Sequence, residues 1–154
     1  MYKYCHHLKI PKFRKIWSRS AANEFGRLAN GVGGRIKNPT NTIKFICEND
    51  IPKNRKKDVT YGQMVCTVRP EKEEKERSRF VAGGDQTNFP GEVATPTADM
   101  LVAKILMNSV VSTKGARFMT MDISNFYLNT PMSRPEYIRI RLSDIPDEII
   151  KEYN

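Results

Sequence analysis

No apolar run in this 154-residue chain approaches the ~20 residues needed to cross a bilayer, and the N-terminus lacks the apolar centre of a secretion signal. Histidine is nearly absent: His6 and His7 are the only two, adjacent near the start. No Ser or Cys nucleophile therefore has a plausible imidazole base elsewhere, which excludes the common triads. Cys5-His-His7 has no Cys-x-x-Cys or His-x-x-x-His companion and so makes no zinc site. The three cysteines (Cys5, Cys47, Cys66) are odd in number and far apart, which fits a reducing compartment better than a disulfide framework. Gly31-Val-Gly-Gly34 lacks the third glycine of a dinucleotide fingerprint, because Ile36 stands there. No internal repeat is visible. These absences point to an intracellular protein with no membrane partner, cytoplasmic with the nucleus left open.

What is present is an uneven charge. Residues 1–57 carry 14 Lys/Arg against 3 Asp/Glu, whereas residues 58–154 carry 12 against 14. The net charge of +9 thus lies wholly in the first third. Such a segment attracts phosphate backbones through counterion release, or it merely keeps the chain soluble. Hydrophobic residues make up 39%, enough for a core, and the length suits one domain or one domain with an arm. We divide the chain at this charge change, into a basic arm and upstream region (1–57) and a folded region (58–154).

Phe13 and Trp17, with Tyr2 and Tyr4, interleave with cations over residues 1–20. They either stack on bases or anchor the arm to the domain. Asn23 to Ala29 reads as a short helix stopped by Asn30-Gly31, and Thr42 to Cys47 alternates like a strand. Lys53 to Lys57 is a solvated loop. Val59–Val68 and Arg77–Ala82 read as two strands joined by a charged, exposed and mobile tip containing Pro70. Thr95 and Pro96 start a helix whose apolar doublets Leu101/Val102, Ile105/Leu106 and Val110/Val111 predict a buried face. Phe118–Ile123 is then a strand, Ser124–Leu128 a helical turn, Tyr137–Leu142 a strand, and Asp144 to Tyr153 a further helix. The class is α+β.

The segment Met119 to Asn129 carries the chemistry. A short apolar run leads to a single carboxylate, Asp122, with Ile123 next and Tyr127 five residues on. An acid at the end of a buried strand is costly to desolvate and normally has a strong partner such as a divalent metal. This pattern resembles the first metal-binding motif of reverse transcriptases, in particular those of copia-type retrotransposons. Arg77 to Gln86 resembles the basic Lys-Ala-Arg-Leu-Val-Ala segment of that family's fingers, departing from it at Arg77, Ser78 and Phe80. Thr95 to Ala98 resembles the start of the family's next helix, and Pro135 to Arg139 the strand after the metal motif. The four segments occur in order and cover roughly Val59 to Tyr153.

The resemblance implies a partial polymerase fingers and palm: a β-hairpin, a helix and the opening strand of an incomplete palm sheet. It implies that Asp122 bridges two Mg²⁺ ions, with the Ile123 carbonyl on the second. Backbone amides of Ser124, Asn125 and Phe126 would meet a triphosphate, as at a helix start. Tyr127 would screen the sugar against a 2′-hydroxyl, or serve as a core aromatic. Arg77 and Arg79, two apart on a strand, would share a face and hold the triphosphate, with the register between them open; Arg69 and Lys72 are weaker candidates. Implied partners are an RNA or DNA template-primer, deoxynucleotides and further polyprotein domains. The family's later Tyr-x-Asp-Asp and Gln-Gly segments do not follow, so the chain reads as a fragment of an RNA-directed DNA polymerase, inactive alone. A non-catalytic, basic nucleic-acid-binding remnant is the other reading.

Overall fold

The computed structural model describes residues 3–4, 11–84, 91 and 97–154. The chain divides into two compact units, Met1–Asn88 with Tyr127–Asn154, and Phe89–Phe126. The expectation of an α+β protein holds. The change of charge at residue 57 does not coincide with a change of packing, because residues on both sides of it share the core of the first unit.

The first unit is built on a hairpin. Strands β2 (Thr60–Val68) and β3 (Glu76–Ala82) pair antiparallel, with Gly62 opposite Ala82 and Val68 opposite Glu76. The other edge of β2 is shared by two short strands. β1 (Lys3–Tyr4) pairs antiparallel with it at Val65 and Cys66, and β4 (Ile138–Arg139) pairs parallel at Thr60 and Tyr61. The result is a mixed sheet with β2 at its centre. Only two residues of the expected strand Tyr137–Leu142 pair; Leu142–Asp144 turns into a short 3₁₀ helix, closed by an Arg141–Asp144 ion pair of 2.8 Å.

Helix α1 (Pro11–Leu28) begins well before the short helix expected from Asn23. Trp17, Ser20, Ala21, Glu24 and Phe25 form a buried stripe at the i, i+3, i+4, i+7, i+8 spacing. The helix runs along the free edge of β3, and its two polar stripe residues serve that edge. The Ser20 hydroxyl accepts from the buried Ser78 amide at 2.8 Å and donates to the Glu76 carbonyl at 2.9 Å. Glu24 accepts from the Phe80 amide at 3.4 Å. An edge strand left with bare amides is a template for unwanted pairing, and here a helix covers it. Gly31, at φ +99°, ends the helix by donating to the Gly26 carbonyl at 2.8 Å.

The alternation of Ile43 and Phe45 toward the core is observed, but Thr42–Cys47 forms no strand. The amides of Thr40, Asn41 and Thr42 instead satisfy the Arg27, Ala29 and Leu28 carbonyls at the end of α1. Lys53–Lys57, expected as a loop, lies within a 3₁₀ helix, Lys53–Asp58. Its Arg55 pairs with Asp58 and Glu136 and lies over the Tyr137 ring, which fixes the approach to β4.

Helix α3 (Asp147–Tyr153) completes the core. Ile149 packs with Ala21, Ala22, Phe25, Val32 and Met64, and Phe25 has ring contacts with Phe45 and Phe80. The Tyr153 hydroxyl accepts from the Asn30 amide at 2.9 Å and donates to the Gly31 carbonyl at 2.5 Å. Arg35 grips Glu148 with both terminal nitrogens, Nη2 at 2.6 Å. That hydrogen bond holds the Glu148 carboxyl below its ordinary range, against a smaller opposing effect of burial.

The second unit holds helix α2 (Met100–Ser112), capped by the Asp99 side chain on the Leu101 amide at 3.0 Å. The expected start at Thr95 and Pro96 lies outside the described residues; residues 97–99 are not helical. The apolar doublets recur as expected, yet the face they form is not buried: Leu101, Val102, Ile105 and Leu106 are all more than half exposed. Periodicity reports which face could be buried, and the described residues of this unit place nothing over it. The cysteines also depart from expectation, since Cys66 is disulfide-bonded while Cys47 is free and exposed. Among the described residues no helix is long and apolar enough to cross a membrane.

Candidate functional site

Strand alternation sorts the hairpin into two faces. Met64, Cys66, Ser78 and Phe80 point inward, all buried except the half-buried Phe80. The opposite face carries Gln63, Val65, Thr67, Arg69, Arg77, Arg79 and Val81 around a groove of about 560 Å³. Arg77 and Arg79 therefore share a face, as the sequence predicted, and Arg69 joins them. Thr67 lies opposite Arg77, and Val65 opposite Arg79. Four neutral side chains of modest size leave room between three guanidinium groups, an arrangement suited to an anionic ligand.

The arginines are not equivalent. Arg77 donates from Nη1 to Glu74 at 2.8 Å and pairs through Nη2 with Glu24 at 3.0 Å. Arg69 Nη2 reaches the Glu74 carbonyl at 3.1 Å and its carboxylate at 3.4 Å. Arg27, from α1, pairs with Glu74 at 2.8 Å and Glu24 at 3.4 Å. Burial acts to raise the Glu74 carboxyl, but hydrogen bonds from Arg27 and Arg77 outweigh it and hold the group below its ordinary range. Arg79 is exposed and makes no ion pair among the described residues. The connection between the strands is therefore tied down: Glu74 turns inward, and the Arg69 amide donates to the Lys75 carbonyl at 2.6 Å.

Sequence reasoning missed Glu24, Glu74 and Arg27. Glu24 had a readable signal, as one of only 3 acids in residues 1–57. Glu74 had none, being one of several acids in a charged connection.

The remaining candidates lie elsewhere. Asp122, Ile123, Ser124, Asn125 and Phe126 belong to the second unit, and Tyr127 to the first. Phe118–Ile123 forms no strand, and Asp122 is exposed, so the carboxylate does not bear the burial cost inferred for it. The stretch finds no ladder partner among the described residues, and a strand without one leaves its backbone groups to water. Ser124–Phe126 is a turn with Asn125 at φ +56°, not the start of a helix; a single 3₁₀ turn follows at Tyr127–Asn129. Tyr127 is 78% exposed, which removes its reading as a core aromatic.

Asp122 and the Ile123 carbonyl do not by themselves fit a magnesium pair. Mg²⁺ takes about six oxygen ligands in near-octahedral geometry. Among the described residues no group of three or more His, Cys, Asp or Glu could hold a metal ion. Arg77 and Arg79 are thus brought together with Arg69 on one face, whereas the metal motif is a sequence feature without a matching cluster. No protein-family model, curated protein or solved structure matches the chain.

Proposed function

We propose that the chain is part of a copia-type RNA-directed DNA polymerase, contributing the fingers hairpin and the first metal-binding segment. The observation that carries this reading is the hairpin, which has the expected strands and antiparallel direction. It sets Arg69, Arg77 and Arg79 on one open face, where the triphosphate or the template backbone would lie. Asp122 would contribute one metal-binding carboxylate once further carboxylates are supplied, with Ser124–Phe126 and Tyr127 toward the nucleotide. Its partners would be template-primer, deoxynucleotides and the other polyprotein domains, in the cytoplasm or nucleus.

Two-metal phosphoryl transfer needs several carboxylates to hold cations ~3.5–4 Å apart, and a single exposed Asp cannot organise them. The 154-residue chain is therefore expected to incorporate no deoxynucleotides on a template, with Mg²⁺ or Mn²⁺. The test joins it to the downstream palm of a full-length relative and compares Asp122 with Asp122→Asn. Polymerisation by the first and none by the second supports the assignment. Equal activity of the two, or activity of the chain alone, overturns it.

A second reading, a non-catalytic nucleic-acid-binding protein, is favoured by α1. Arg14, Lys15 and Arg19 are exposed on its first half and make no salt bridge among the described residues. Sequence-tolerant binding carried by those cations would follow from counterion release alone.

A further inference from the structure

The charged cluster beneath the groove contains three guanidinium groups and two carboxylates. Both terminal nitrogens of Arg77 are occupied, one by Glu74 and one by Glu24. Both terminal nitrogens of Arg27 are occupied by the same two acids. Glu74 divides its oxygens, Oε1 taking Arg27 and Oε2 taking Arg77 and Arg69. It thus presents to three arginines what a phosphate oxygen pair would present.

The cluster nevertheless stays one positive charge in excess, and it is not fully satisfied. The Nε atoms of Arg69 and Arg77 are shielded from solvent and have no hydrogen-bond partner among the described residues. A partly satisfied charged network gains by rearranging around a ligand with more acceptor oxygens. Phosphate offers such oxygens on one centre, and the groove beside it is open.

We propose that Arg79 is the groove's first anion contact, and that Glu74 is an internal phosphate surrogate holding Arg69 and Arg77 in reserve until a polyphosphate or phosphodiester ligand competes for them. The proposal rests on the reading of the groove as phosphate-facing. It takes Arg79 and not Arg77 as the first contact, a choice that alternation alone leaves open. Glu74 acts as a positioning residue, through the arginines and not on the ligand.

The test follows the side-chain Nε–H signals of Arg69, Arg77 and Arg79 by NMR. The full chain is titrated separately with inorganic pyrophosphate and with oligodeoxythymidylate. In the wild-type protein the Arg79 signal should move at the lowest ligand concentrations, with Arg69 and Arg77 following only near saturation. In Glu74→Gln all three should move together. On the oligonucleotide, the log–log salt slope should steepen by about 0.7 for each arginine released. A response to pyrophosphate alone assigns the site to nucleotide polyphosphates, and a response to the oligonucleotide alone to a nucleic-acid backbone; either supports the proposal. Arg77 moving as early as Arg79 in the wild type overturns it without reference to any variant. So does an unchanged order in Glu74→Gln, or no response in either protein. An inactive polymerase chimera with the Arg79 response intact overturns the polymerase reading alone.

Discussion

Replacing Ser20 by alanine removes one oxygen that serves two backbone groups of β3. The Ser78 amide is buried and loses its acceptor at 2.8 Å, while the Glu76 carbonyl loses its donor at 2.9 Å. A buried donor left unpaired costs about 1–3 kcal/mol, and the lost carbonyl bond roughly 0.5–1.5 kcal/mol. Alanine returns about 0.5 kcal/mol through its better helix propensity. The expected net loss is therefore about 2 kcal/mol, a large share of the ~5–15 kcal/mol typical of a domain. In urea titration the midpoint should fall by roughly 1 M with the slope unchanged. Exchange of the Ser78 amide should speed up about 30-fold, the factor corresponding to 2 kcal/mol. Ser18→Ala, on the same helix but without a bond to the strand, is the control and should shift stability by under ~0.5 kcal/mol. If Ser20→Ala matches that control and Ser78 exchange is unchanged, α1 does not protect the edge and the account of the fold fails.

Gly62→Ala sets a Cβ against the Phe80 ring and within 2.8 Å of Ile138 Cγ2, so it should cost about 1–3 kcal/mol in thermal or urea unfolding. Glu148 has a lowered pKa in the folded state, so its pairing with Arg35 stabilises above the unfolded carboxylate range and is lost as pH falls through the folded value. Melting temperature should accordingly drop between about pH 4.3 and lower pH, and Glu148→Gln should flatten that part of the profile. Replacing Arg14, Lys15 and Arg19 together by glutamine should make the salt slope of duplex DNA binding shallower by up to ~0.9 per residue while the protein stays folded. An unchanged slope puts the contact elsewhere. Truncating residues 1–20 is the wrong perturbation for this purpose, because Trp17 and Ser20 are buried in the fold.

The hairpin was legible because both its cues are local: alternation within each strand, and a charged break containing Pro70. The Arg77–Arg79 face followed from period two alone. Helix α1 was largely illegible because two of its five buried stripe positions, Ser20 and Glu24, are polar. They are polar because the helix packs on a strand edge, where backbone amides ask for acceptors. The strand expected at Thr42–Cys47 failed for a related reason: the preceding amides find partners on the end of a helix, which alternation cannot reveal. At Asp122 the motif named a residue but not an environment. Burial of that carboxylate depends on neighbours that the apolar run before it does not itself provide.

The pairing of α1 with β3, and of the α1 terminus with α3, also sets the order in which the protein can fold. Ser20 meets Ser78 across 58 positions of chain, and Asn30 meets Tyr153 across 123. Each doubling of a closed loop adds only about 0.6 kcal/mol of entropic cost, so these closures are tolerable at equilibrium. They are slow to find, however, because chains dominated by distant contacts reach their transition states late. The β2–β3 hairpin closes across a short connection and can form first. Until the helix docks, its β3 edge stands open to any other strand, and self-association during refolding should rise with protein concentration in that interval.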